Sequence, residues 1–521
     1  MGPSVLFPSS SAKLSGILIC MTPSVGRRIP GWAAALAAGA LPGLAFPAPS
    51  WWWLAWFGVV PLLLVGRAAP TSGQGAVRAW WGVAAFVLTT QYWLVTSVGP
   101  VAAVLAIGLG ALWLPWGWLA HRLLSAPVST GRTCAAVMVL PSAWVAAEAV
   151  RSWHPLGGPW ASLGASQWNQ PVTLASAALG GVWLTSFLVA AANTAIVGVI
   201  LHRDVVGRCV ALGSMLACAG LGPAWYLLGH TPTGGATVRV ALVQTGDIAD
   251  STVRQVASEA LTATLAGQRP DLVVWGESSV GQDLASRPEV LARLTALSRR
   301  VGADLLVNVD ARAPNGGIYK TAVLVGEHGS LGSYRKTRLV PFGEYVPLRP
   351  LLGRITRDTK AAAEDRQRGS GPVVLRVDSL DIGPLISYEA TFSDLARGAA
   401  QLGAGLLVYQ SSTSTFQGSW AQPQLASQPA VRAVEVGRPA VHVGLSGDSS
   451  AFDARGRRLA WCSSEFRGVI MVSVPLGSTT TPFQRLGDWV QVTVFVVVGG
   501  AGAYTVFRRQ RIARVKHCVN E

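Results

Sequence analysis

The sequence is poor in charge, and poorest in negative charge. Only 13% of its 521 residues are Asp, Glu, Lys or Arg, against about 25% in an ordinary soluble domain. Acids number 26 against 42 Lys and Arg, and before residue 230 there are just two, Glu148 and Asp204. That scarcity, with a hydrophobic content of 50%, excludes a chain bathed in water along its whole length. Cysteine is scarce too, with six at positions 20, 134, 209, 218, 462 and 518. Three fall in apolar runs, and the scatter supports neither a disulfide framework nor a CxxC metal site. There is no GxGxxG, no P-loop and no internal repeat.

What the sequence has in quantity is uninterrupted apolar stretches. Residues 80–98, 101–120, 171–201, 209–228 and 489–507 are uncharged or nearly so and long enough to cross a bilayer, which takes about 20 residues. A sixth, 134–150, contains Glu148, and 32–46 with 51–65 read as a shorter helical hairpin broken at Pro47-Ala48-Pro49. The expectation is eight spans. Seventeen of the 21 tryptophans precede residue 230, as anchors at the membrane interface or as packing between helices.

Charge orients these spans. With the N-terminus in the cytoplasm, Arg27/Arg28, Arg67/Arg78, Arg122/Arg132, Arg203/Arg208 and the tail Arg508-Arg509-Gln510-Arg511 all fall inside. The outer connections hold only Arg151, which is the positive-inside asymmetry. Residues 229–488 then lie outside the cytoplasm, and both termini inside. The net charge of +16 is mostly topological. A nucleic-acid reading of the basic tail is the weaker one, because the tail adjoins a span. The organisation expected is a cytoplasmic segment 1–26, a membrane domain 27–230 of about seven helices, an external domain 231–488, a last span 489–507 and a basic tail 508–521. Cys20 follows an apolar run as a lipoprotein signal would, but bulky Ile19 argues against cleavage there, and Met21 is an alternative start.

From Val238 the pattern changes to short β-branched runs, at 238–244, 271–277, 303–310, 321–327, 383–389, 403–409, 439–445 and 469–474. Amphipathic segments at 251–268, 287–300, 393–402 and 424–436 separate them. Strands alternating with helices predict an α/β layered domain, and about 250 residues suffice for one core. Polar residues gather where strands end: Glu277 after VVWG, Lys336 after SYR, and Ser387-Tyr388-Glu389 after GPLI. Taken singly, each is an unremarkable strand-end carboxylate, surface lysine or serine. Together they are the parts of an acyl-transfer site: a carboxylate to take a proton, a cation to stabilise an oxyanion, and a nucleophile to carry the acyl group.

VVWGES, YRKTRLVPFGEYVP and ISYEATF stand in that order, behind a multi-span half and before a last span led in by TPFQRLGDW. So arranged, they resemble apolipoprotein N-acyltransferase, a membrane-embedded branch of the nitrilase superfamily. The resemblance covers roughly Arg27 to Arg511, and GGPWASLGASQ (157–167) shares it. It implies a nitrilase-like αββα sandwich outside the bacterial inner membrane. It also implies a phospholipid acyl donor, a diacylglyceryl-modified lipoprotein acceptor, and no metal or dissociable cofactor. By position, Glu277 becomes the general base, Lys336 the oxyanion-side cation and residue 387 the nucleophile. Glu344 holds the lysine, and Tyr388 and Glu389 support the nucleophile.

The chain departs from that pattern at its centre, because the family's nucleophile is cysteine and this one is serine. A free thiol ionises near pH 8.5, whereas a hydroxyl needs a well-placed base during attack. The Asn-Asp-x-Trp-Phe loop expected after the strand GLLVY is replaced by residues 410–416, QSSTSTF, and 248–256 lacks a tryptophan the family often carries. Three readings follow: a working N-acyltransferase using Ser387, a catalytically weak or silent paralogue that binds lipid or lipoprotein, and a membrane-tethered nitrilase-like amidase. An amphipathic substrate favours the first two, since a soluble amide gives an enzyme no reason for eight spans. The stretch 339–352 is read either as dipping into the interface to guide acyl chains or as packing on the domain.

Overall fold

The computed structural model describes residues 30–125, 128–229, 236–312, 316–353, 364–477 and 479–519. Segment 1–26, with Cys20 and Met21, and Arg27 and Arg28 lie outside the described residues, as do the side chains of the basic tail.

Four helices are long and apolar enough to cross a membrane: Val101–Leu124, Thr130–Arg151, Ala177–Leu201 and Val205–Leu228. Gly31–Ala45, Trp52–Arg67 and Trp489–Thr505 are shorter apolar helical stretches, and Ser72–Gln91 packs among them. That last helix corresponds to the span expected at 80–98 but starts eight residues earlier. The Thr71 hydroxyl caps its start by accepting from Gln74 N, and at Gln91 it gives way to a short 3-10 turn. Small residues let the helices close up; a Cβ on Gly39 would sit 1.8 Å from Gly82 O. The single segment expected at 171–201 is a short turn, Pro171–Leu174, followed by Ala177–Leu201. It breaks again at Gly180-Gly181, where Gly181 takes φ 70° and leaves room for the ring of Phe483.

The second domain is two stacked six-stranded sheets with helices on both outer faces. The first sheet contains β1 (Thr237–Gln244), β2 (Leu272–Trp275), β3 (Asp304–Arg312), β4 (Ile318–Gly326) and β5 (Gly329–Arg335). The second contains β6 (Leu375–Val377), β7 (Leu380–Ile386), β8 (Leu406–Ser411), β9 (Ala440–Gly444), β10 (Ser449–Phe452) and β11 (Arg458–Cys462). β12 (Gly468–Pro475) returns to pair antiparallel with β1. Each sheet has a parallel core, β1-β2-β3 and β7-β8-β9, with antiparallel strands at its margins. Both faces of the parallel strands are apolar, as burial between two layers demands. Val240, Leu242, Leu272, Val274 and Leu306 join the core between the sheets, while Ala241, Val243, Val273, Trp275 and Leu305 pack with the outer helix Pro288–Val301. This is the αββα sandwich expected.

The sandwich is bolted to the membrane domain by the helix Ala421–Val436, which also packs on β9 and β10. Its buried Gln424 donates to Pro47 O and Thr90 O, both at 3.0 Å, and accepts from Trp160 Nε1 at 2.8 Å and Trp93 Nε1 at 3.3 Å. At the other end, Glu435 accepts from Val182 N at 2.7 Å. A buried carboxamide with all its capacity used is costly to disturb.

Candidate active site

Three loops at the ends of β2, β5 and β7 converge, and each contains a non-glycine residue at positive φ: Ser278 at 57°, Phe342 at 62° and Ser387 at 54°. Such a conformation costs of order 1–3 kcal/mol and persists only where the surroundings enforce it. At Ser387 it turns the chain sharply from β7 into the 3-10 turn Ser387–Thr391. The serine is thereby offered at the strand end with 7% exposure.

Lys336 is buried, and its Nζ lies 2.8 Å from Glu344 Oε1 and 3.1 Å from Glu277 Oε1. Burial opposes its charge, but the two carboxylates hold its pKa above the ordinary lysine range. Burial likewise works against an ionised Glu277; Lys336 and then Lys320 outweigh it, so the carboxyl stays below its usual pKa. The Ser387 hydroxyl lies close enough to contribute to that lowering. Glu277 Oε2 accepts from Ser412 N at 3.1 Å, which fixes the carboxylate plane. An ionised carboxylate beside a hydroxyl, with a buried ammonium alongside, is equipped to take a proton and to stabilise an oxyanion.

The supporting residues fall into place around this group. Glu344 Oε2 accepts from Val340 N at 2.8 Å, so its loop is pinned while its other oxygen holds the lysine. Glu389 is fully buried and accepts from Tyr334 Oη at 2.8 Å, Thr337 N at 2.6 Å, Arg338 N at 2.9 Å and Ile386 N at 2.7 Å. One carboxylate thus ties the lysine loop to the serine turn. Burial raises its pKa to about 7, against the pull of those backbone donors. Tyr388 is buried, its hydroxyl without a hydrogen-bond partner among the described residues, and Gly158 of the membrane domain leaves the space for it; a Cβ there would come within 2.2 Å of Tyr388 Oη.

The structure therefore brings together all six residues singled out from the sequence. It adds others that sequence reasoning missed. Lys320 Nζ lies 3.7 Å from Glu277 and 3.0 Å from Asp310; burial opposes its charge, and those acids raise its pKa overall. In the sequence it is a lone lysine in an apolar strand, with no local signal of a partner. His154 donates from Nε2 to Leu339 O at 2.6 Å and stacks on Tyr345 at 5.5 Å, so the loop after Thr130–Arg151 roofs the site. Burial lowers its pKa. The unusual loop after β8 docks on the membrane domain through Phe416 on Trp93 at 4.8 Å and Trp420 on Tyr92 at 5.5 Å. The stretch 339–352 divides between its two readings, with Leu339 and Val346 buried and Leu348 exposed. Cys462 ends β11, far along the chain from these loops. Among the described residues no group of three or more His, Cys, Asp or Glu side chains could hold a metal ion.

A two-sheet sandwich of this kind, carried on apolar helices, defines a membrane-bound member of the carbon-nitrogen hydrolase class. Residues 239–481 match the carbon-nitrogen hydrolase family, and residues 38–195 match the apolipoprotein N-acyltransferase N-terminal domain. Apolipoprotein N-acyltransferase from Geobacter metallireducens is 30% identical over 513 residues, covering 92% of this chain and 95% of the relative. That from Pseudomonas aeruginosa is 31% identical over 509 residues, covering 91% and 95%. Among solved structures, an amidase from Nesterenkonia sp. matches 48% of this chain and 94% of its own at 20% identity and a TM-score of 0.35. A carbon-nitrogen hydrolase from Helicobacter pylori matches 46% and 90% at 16% identity and a TM-score of 0.37. The chain belongs to the apolipoprotein N-acyltransferase family: it is an acyltransferase, and its place is in a membrane.

Proposed function

We propose that this chain moves an acyl chain from a phospholipid to the α-amino group of the S-diacylglyceryl cysteine of a lipoprotein, by way of an acyl ester on Ser387. In the first step Glu277 takes the Ser387 proton as Oγ attacks the phospholipid's ester carbonyl. Lys336 faces the oxyanion, the C–O bond to glycerol breaks, and Glu277 returns the proton to the departing oxygen, giving a lysophospholipid. In the second step the lipoprotein amine attacks the Ser387 ester. Glu277 takes the amine's proton and gives it back to Oγ as the amide forms. Glu344 holds Lys336 in place, Glu389 joins the two loops, and Tyr388 fills the roof over the turn.

The observation that carries this reading is the convergence of Glu277 and Glu344 on Lys336 Nζ, at 3.1 and 2.8 Å, beside a serine held at φ 54°. The charge asymmetry supports a site outside the cytoplasm of a bacterial inner membrane. Helices within 27–230 and 489–507 then flank the external domain 231–488, with segment 1–26 and tail 508–521 in the cytoplasm.

The test is to express this chain, Ser387→Cys and Glu277→Ala in cells depleted of their own N-acyltransferase, and to read a lipoprotein's N-terminus by mass spectrometry. Acylation by the unaltered chain, lost in Glu277→Ala, is the expected result. Acylation only with Ser387→Cys identifies a silent paralogue, and none with either, from folded protein, favours the tethered amidase or a scaffold.

A further inference from the structure

One cavity lies away from the catalytic loops, and nothing in the acyl-transfer scheme uses it. It encloses about 560 Å³, within the range of small-molecule sites. Ala175, Ala178, Trp225 and Tyr226 of the helical domain form one wall. Arg455, in the turn between β10 and β11, and the connector Thr479–Thr481 to Arg485 form the other. None of its lining residues belongs to the loops that hold Glu277, Lys336 and Ser387.

Its chemistry is one-sided. Two arginines and three threonines face it, and among the described residues no carboxylate lines it. Neighbouring arginines are already engaged: Arg457 with Asp453 at 2.6 Å, and Arg438 with the carbonyls of Ala404 and Thr479, both at 3.0 Å. Arg455 is half-buried at the cavity wall, its guanidinium 3.9 Å above the Tyr226 ring and one of its N–H groups donating to Tyr226 O, which leaves the rest of the fork for a ligand. Arg485, in the short helix Pro482–Leu486, is exposed and has no side-chain partner among the described residues. A planar donor fork without a carboxylate is matched by a phosphate.

The surroundings specify what carries that phosphate. Trp225 and Tyr226 stand in the last turn of Val205–Leu228, and Trp489 opens the final helix by donating to Leu179 O. Both are positions where a span meets the headgroup layer. Leu227 and Leu228, which end the helix beyond Tyr226, and Leu486, which lines the cavity, are 81%, 82% and 66% exposed. We propose that this cavity is a second phospholipid site, in which Arg455 and Arg485 take the phosphate while the acyl chains lie along those leucines. The bound lipid joins the sandwich, the end of one span and the start of the last.

Native mass spectrometry of the full chain in detergent, loaded with dioleoylphosphatidylglycerol, tests this. One lipid should survive collisional stripping, and its retention should fall at least about tenfold in Arg455→Gln/Arg485→Gln. Thr480→Glu, a surface change that leaves the fold alone, should do the same by placing a negative charge at the lip. Unchanged retention in either variant overturns the proposal, as does equal retention of dioleoylglycerol, which lacks the phosphate. Displacement of the lipid by millimolar inorganic phosphate would also overturn it, in favour of a free-anion site.

Discussion

Glu344→Gln separates a lysine held by two carboxylates from one held by a single base. The substitution keeps shape and removes charge at 2.8 Å from a buried ammonium. At an effective dielectric near 20, that contact is worth about 6 kcal/mol of attraction, much of it offset by desolvation of both groups. Because removing one partner strands the other, the net loss of stability should be about 3 kcal/mol. For a domain of this size that is a fall in melting midpoint of roughly 6–12 °C. Lys336 keeps Glu277 at 3.1 Å and, freed from Glu344, draws on it more strongly. The base is weakened, and the acylation rate should drop about a hundredfold. Thermal unfolding in detergent at one scan rate, for Glu344→Gln, Lys336→Met and the double variant, gives the coupling. We expect about 2–3 kcal/mol between the two positions. A coupling under about 0.5 kcal/mol would refute the claim that Glu344 acts through Lys336.

Three further expectations can be checked on the same protein. Glu277 titrates below its usual 4.5 and Lys336 above its usual 10.5, so an acid limb near pH 7 belongs to Glu389, with its pKa of about 7. Protonating a carboxylate whose four partners are all donors removes an acceptor, and the rate should fall as pH drops through 7. Stability should move the other way: the folded pKa exceeds the unfolded 4.5, so stability is fully present below 4.5 and is lost, by up to about 3 kcal/mol, as pH rises through 7. A pH–rate profile with no inflection near 7 contradicts this. Gly158→Ala places a Cβ 2.2 Å from Tyr388 Oη at a φ of 69° and should cost about 1–3 kcal/mol and depress the rate; a variant as active and stable as the parent rejects the roof. Gln424→Leu leaves Pro47 O and the Trp160 N–H short of a partner, while Trp93 Nε1 and Thr90 O keep their bond to each other, and should cost about 1–3 kcal/mol, read as faster proteolysis between the domains.

The layered domain was legible because strands buried on both faces read as short apolar runs: the runs at 271–277 and 403–409 contain β2 and overlap β8. β5, β6, β10 and β11 were not, since GSLGSYR, LRV, SSAF and RLAWC are too polar or too short to show a period. Four of the expected spans sit on helices of sufficient length, but the break at Gln91 and the kink at Gly180-Gly181 are set by packing. Glu277, Lys336 and Ser387 could be picked out because strand ends concentrate chemistry. Lys320, His154 and Gln424 could not. Each acquires its meaning from a partner remote in sequence, Glu277, Leu339 and Pro47 respectively, and no local pattern encodes that.

The helix Ala421–Val436 lies against the β-sheet on one side and plugs into the span bundle on the other. A mount of that kind sets the height of the reacting atoms above the acyl chains once, at folding, and does not renegotiate it with each turnover. Donor and acceptor must then arrive by lateral travel at one fixed depth. Turnover in cells should accordingly track the surface density and fluidity of the lipid leaflet, not any concentration in solution.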